Sequence, residues 1–133
     1  MIKLLKKIME DEENKEEIKI ILVGSNGVGK SSIILRYIND QFNENLAPTI
    51  NSKQTSKSVI FKEFKTKLTY DIWDTVGQEI FRGISKLFYN NSSIVILVYD
   101  ITLEKSFIDI QDVWYEEVKN NTSPNVGKIE YLK

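Results

Sequence analysis

Eight residues constrain this chain more than any others: Gly24-Ser25-Asn26-Gly27-Val28-Gly29-Lys30-Ser31, a full match to the pattern GxxxxGK[ST]. They follow the β-branched run 18–23 (IKIILV), which has the composition of a buried parallel strand. They open residues 30–38, where Ile33, Ile34, Leu35 and Ile38 recur at helical spacing. Strand, glycine loop and helix in that order leave few folds open. The glycines let the backbone turn so that successive N–H groups face an anion, and the helix offers its N-terminus to the same charge. Ser25, Asn26, Gly27, Val28, Gly29, Lys30, Ser31 and Ser32 are therefore the candidate phosphate-binding residues. Lys30 is placed to reach the β- and γ-phosphates of a nucleotide, and the Ser31 hydroxyl to ligate Mg2+.

The remaining pattern predicts an α/β fold, a three-layer α/β/α arrangement with a mostly parallel sheet. Residues 94–99 (IVILVY) are the most apolar stretch and belong at the sheet's centre. Two strands are expected near 58–61 and 68–73, joined by a turn at 62–67. Residues 39–52 are polar, contain Pro48 and lack periodicity, so they read as a long loop of the kind that carries function. Phe107, Ile110, Trp114 and Val118 mark one face of a helix, which Pro124 and Gly127 end; residues 128–132 begin another strand. The lysines at 53, 57, 62, 65 and 67 read as a solvated sheet edge.

A length of 133 residues allows one domain. We divide it into a charged extension, 1–17, and a domain, 18–133. Within the extension, 1–9 (MIKLLKKIM) is a basic amphipathic turn able to touch a membrane or a partner, with a short packed or frayed helix as the plainer reading. Residues 10–17 carry six acids and one lysine, a solvated tract. The absence of cysteine excludes disulfides and thiolate metal sites and fits a cytoplasmic protein. With no histidine, acid–base chemistry must fall to carboxylates, lysine, tyrosine or water. A net charge of −1 argues against general attraction to nucleic acid. No apolar run approaches the roughly 20 residues that span a bilayer.

A second motif, Asp74-Thr75-Val76-Gly77-Gln78-Glu79, follows directly on the strand expected to end at Trp73. A carboxylate at a strand end can hold Mg2+ through water, the Gly77 N–H can approach a γ-phosphate, and the Gln78 amide can orient an attacking water. Together GSNGVGKSS, APTI, WDTVGQEIFRGI and VILVYDIT resemble the Rab-type small GTPases over about residues 18–127. The resemblance implies a GTP-binding switch that hydrolyses GTP to GDP with Mg2+ and regulates vesicle traffic. It further implies that Thr49 ligates Mg2+ and senses the γ-phosphate, that Phe42 packs on the guanine ring, and that Asp74, Gly77 and Gln78 are the metal contact, the γ-phosphate contact and the catalytic water-positioning residue. Trp73 matches an aromatic that Rab partners commonly recognise, although a structural role suits it equally. Partners implied are a GTPase-activating protein, an exchange factor and effectors, acting on a monomer. Arg82 reads as a surface residue rather than a catalytic arginine, so hydrolysis is expected to be slow without a partner's arginine.

Rab-like domains carry Asn-Lys-x-Asp and Ser-Ala-Lys motifs that read guanine; neither occurs within these 133 residues. Relative to the family the chain therefore reads as C-terminally truncated: a fragment, a shortened gene model or a natural short form. It also has no prenylation cysteine; a longer prenylated form would work on the cytosolic face of endomembranes. Asn51 stands where the family has glycine, Val76 where it has alanine and Ile80 where it has arginine. The segment between Thr49 and Asp74 is about two residues long against the family, predicting a bulge or a longer turn. The alternative reading is a non-catalytic module that keeps a phosphate site without guanine selectivity.

Overall fold

Period-two alternation of apolar side chains decides how the sheet is covered. In strand β1 (Lys15–Val23), Ile21 and Val23 face one side while Ile20 and Leu22 face the other. Strand β4 (Ile94–Val98) repeats the division, with Val95 and Leu97 on the first side and Ile96 and Val98 on the second. Both strands are thus covered twice, as a parallel sheet requires. The computed structural model describes residues 15–61, 66–76, 88–123 and 129–132. Within them, β2 (Lys53–Phe61), β3 (Thr66–Asp74) and β5 (Ile129–Leu132) complete a five-stranded sheet of order β2-β3-β1-β4-β5. β1 is parallel to β3 and β4, and β4 to β5; β2 is antiparallel to β3.

Helix α1 (Lys30–Asn39) covers the second side, its Ile33, Ile34 and Ile38 packing on Leu22, Val28, Ile72 and Val98. It stops where Asp40 turns left-handed at φ 56°, donates its N–H to Arg36 and pairs with the Arg36 side chain. The first side is covered by α2, made of α-helical Glu104–Asp109, a π-turn at Ile110–Trp114 and α-helical Tyr115–Asn121. Here Ile110, Trp114 and Val118 pack against Ile21, Val23, Val95 and Leu97. The result is the three-layer α/β/α arrangement expected, with a mostly parallel sheet. A strict four-residue repeat drifts by about 40° per step in an α-helix. The wider π-turn absorbs that drift, so Ile110, Trp114 and Val118 all stay on the sheet.

Several expected boundaries move. β1 begins at Lys15, so a division between residues 17 and 18 would cut a strand: Lys15, Glu16 and Glu17 pair with Lys67, Leu68 and Thr69. Backbone pairing with β3 does not depend on the polarity of those side chains. β2 likewise starts at Lys53 rather than near residue 58, because an edge strand tolerates polar residues facing water. Its register runs unbroken from Lys53↔Asp74 to Phe61↔Thr66, so there is no bulge in the paired part. The connection 62–65, with Lys62 and Lys65, lies outside the described residues. Phe107 is not on the buried face: it is 41% exposed, its ring lying 5.1 Å from that of Tyr99. β5 sits beside β4 with Val95 opposite Ile129, where a further strand was expected. Residues 1–14 and 124–128, with Pro124 and Gly127, lie outside the described residues.

Candidate functional site

β1 has β3 on one side and β4 on the other, with the chain diverging from it in both directions. Such a switch point leaves a crevice beyond the carboxyl ends of the strands, and the glycine loop emerges there. Its first glycine is fixed by space. Gly24 has φ +151°, and a Cβ there would fall on the Val98 carbonyl oxygen at the end of β4. Gly29, at φ +95°, is fixed by backbone conformation and turns the chain into α1, accepting the first helical bond from the Ile33 N–H at 2.9 Å. Val28 anchors the loop in the core beneath α1.

Lys30 is 5% exposed, and its Nζ donates to the carbonyls of Gly24 at 2.8 Å and Ser25 at 2.9 Å. Burial lowers its pKa to about 8, an effect the nearby Asp74 carboxylate partly opposes. A buried, weakly solvated ammonium held on the glycine loop by two carbonyls is chemistry that fits an anion.

Next to it, three oxygens converge from three elements. Ser31 Oγ on α1 lies 2.6 Å from Thr49 Oγ1 in the loop before β2, and Thr49 Oγ1 donates to Asp74 Oδ2 on β3 at 3.4 Å. The other Asp74 oxygen, Oδ1, is buried without a hydrogen-bond partner. An orphaned carboxylate oxygen beside two hydroxyls is a donor set that fits a hard divalent cation. Mg2+ commonly takes one or two carboxylates and completes its octahedron with phosphate and water oxygens. Among the described residues no cluster of three acidic, histidine or cysteine side chains is placed to hold a metal.

The loop 40–52 closes a cavity of about 270 Å³ over this group, lined by Asn26, Gly27, Gly29, Lys30, Ser31 and Ser32 on one side and by Phe42, Glu44, Pro48 and Thr49 on the other. Phe42 stands at its rim, 64% exposed. Thr75, which sequence reasoning passed over, also lines the cavity, and its hydroxyl donates to the Leu22 carbonyl at the end of β1. Asp100 in the VILVYDIT stretch shapes the loop after β4: its carboxylate accepts from the Thr102 N–H and hydroxyl, which lower its pKa. Trp73 is half-buried on the first core, with the Phe88 ring at 5.7 Å and the Lys19 ammonium at 5.2 Å. Gly77, Gln78, Ile80 and Arg82 lie outside the described residues.

Residues 19–129 match the model of the Ras family. The chain belongs to that family. It is a Rab-type small GTPase by its relatives. It is 40% identical to human Ras-related protein Rab-22A over 110 residues, 83% of this chain and 55% of that protein. It is 43% identical to Ras-related protein RabC of Dictyostelium discoideum over 81% of this chain and 56% of that protein. A probable Rab-related GTPase of Acanthamoeba polyphaga mimivirus is 46% identical over 77% of this chain and 47% of its own length. This Rab-type chain thus spans about half the length of the curated relatives it matches. No helix among its described residues is long and apolar enough to cross a membrane.

Proposed function

We propose that this chain binds Mg·GTP at the crevice above β1 and hydrolyses it to GDP and phosphate, as a switch in vesicle traffic. The observation that carries the reading is the convergence of Ser31, Thr49 and the orphaned Asp74 Oδ1 beside buried Lys30. In it Lys30 and the loop amides hold the phosphates, while Ser31, Thr49 and Asp74 would hold Mg2+, which would supply neutralisation of charge on the phosphate oxygens. Gly77 contributes its N–H to the γ-phosphate. Gln78 orients the water whose oxygen bonds to the γ-phosphorus as the bond to the β–γ bridging oxygen breaks. Phe42 packs on the base. Arg36 is engaged with Asp40 at the far end of α1; by family resemblance a GTPase-activating partner supplies the accelerating arginine. An exchange factor and effectors act on the same chain, and a longer, prenylated form works at the cytosolic face of endomembranes.

Calorimetry with Mg·GTP tests the site: Lys30→Ala, Ser31→Ala and Asp74→Asn each lower affinity by at least about tenfold, the loss expected of a charge-assisted contact. Binding unchanged in Lys30→Ala and Ser31→Ala sinks the reading. A chain that binds Mg·GTP but releases no phosphate over hours would favour the non-catalytic phosphate-binding module.

A further inference from the structure

Ser25, the residue after the first loop glycine, is held from outside the phosphate crevice. Its Oγ donates to Asp109 Oδ2 at 2.9 Å and accepts from Trp114 Nε1 at 3.2 Å. The direction of both bonds is fixed by chemistry: an indole N–H can only donate, and an ionised carboxylate can only accept. Asp109 is held in turn by Lys105 at 2.9 Å, with only 19% of its side chain exposed, while Trp114 is 6% exposed in the core. Residues five apart on an α-helix point about 140° away from each other. The π-turn that begins directly after Asp109 takes up one extra residue, which lets Asp109 and Trp114 reach the same hydroxyl.

We propose that Asp109 and Trp114 are positioning residues that clamp Ser25 and so preset the phosphate loop for its nucleotide. The proposal rests on the nucleotide-binding reading given above. The clamp acts where presetting matters. Ser25 offers its carbonyl to Lys30 on one side and its hydroxyl to α2 on the other, so the peptide between Gly24 and Asn26 is fixed from both sides before any phosphate arrives. A loop already ordered loses less freedom on binding and holds its ligand longer. The π-turn thereby has a role beyond keeping α2 on the sheet, in line with the tendency of such turns to occur at functional sites.

The test separates this role from mere welding of helix to sheet. The chain has two tryptophans, so a Trp73→Phe background leaves Trp114 as the sole indole. In that background, release of methylanthraniloyl-GDP with Mg2+ is followed for Ser25→Ala, Asp109→Ala and Asp109→Asn, beside thermal melting of each ligand-free chain. Release accelerates by about tenfold in Ser25→Ala and Asp109→Ala, as for loss of a hydrogen bond to a charged group. Asp109→Asn, which keeps an acceptor, falls between them and the parent. Ligand-free Ser25→Ala also shifts Trp114 emission to shorter wavelength, since the indole N–H loses its polar partner. Release at the parental rate in both alanine variants overturns the positioning role even if melting falls, and an unshifted emission overturns the bond. A parent chain that retains no labelled GDP overturns the nucleotide reading and this proposal with it, whereas parental retention with unaltered variants removes the clamp alone.

Discussion

At Lys30 the folded chain stores a charge it would rather solvate. Burial takes its pKa from 10.5 to about 8, a gap of about 2.5 units, or roughly 3 kcal/mol at 1.36 kcal/mol per unit. The sign follows from proton counting: between about pH 8 and 10.5 the unfolded chain binds more protons than the folded one, so stability rises with pH in that window. Below pH 8 the full penalty is present. Lys30→Met, which also forfeits the bonds to Gly24 and Ser25, should therefore be more stable without nucleotide at pH 7 by roughly 1–2 kcal/mol. The gain should shrink toward pH 10.5 while Mg·GTP binding is lost. Urea unfolding of both chains at pH 7 and pH 10 checks it, and a Met variant that is less stable at pH 7 would contradict it. Lys30, Ser31 and Asp74 were legible in the sequence because each sits at a fixed offset within a local motif; Thr49 came only with the family resemblance. Asp109 and Trp114 were not, since their target Ser25 is 84 and 89 residues away. Trp114 read simply as one apolar step on a helix face.

The strands and helices carry their own predictions. Gly24 meets the Val98 carbonyl where β1 and β4 end together, so Gly24→Ala sets a methyl against the Val98 backbone and the Val28 side chain. Neither strand can retreat without disturbing the paired register Leu22↔Ile96 and Val23↔Leu97. A loss of at least about 3 kcal/mol, or failure to fold, is expected in chemical denaturation. Ser106 has a milder part. Only 1% exposed, its hydroxyl accepts from the Asp100 N–H at 2.9 Å and lies 2.7 Å from the Leu103 carbonyl, tying the end of β4 to the start of α2. Ser106→Ala should cost about 1–2 kcal/mol, read in the same experiment; no change would mean that water replaces the hydroxyl. The apolar alternation of β1 and β4 and the helical spacing of α1 made these elements readable in advance. The starts of β1 and β2 were hidden because Lys15–Glu17 and Lys53–Lys57 are polar, and their strand character comes from pairing with β3 rather than from their own composition. Phe107 misled for the converse reason: its spacing fits the buried face, but the ring finds Tyr99 instead of the sheet.

Across the whole molecule, the sheet order places the loop, Thr49 and Asp74 at one crevice, and the balance of charge around it is unusual for an anion site. Among the described residues lining the cavity, the only charged side chains are Lys30 and Glu44. Lys30 is buried, while Glu44 is exposed on the rim and carries the wrong sign for phosphate. The chain's net charge of −1 adds no attraction from afar. Fields that raise association rates by about 10- to 1,000-fold need exposed charge complementary to the ligand, and the described residues lining this entrance offer none. The association rate of labelled GTP, measured by stopped flow at constant free Mg2+, should therefore vary by no more than about twofold as salt rises and shortens the screening length from about 10 Å to a few ångströms. A steep decline with salt would show a steering field on the protein. Arrival, on this view, is left to chance collision, and occupancy is governed by residence: once inside, a nucleotide meets a preset loop and a desolvated ammonium, and the clock of such a switch runs on departure.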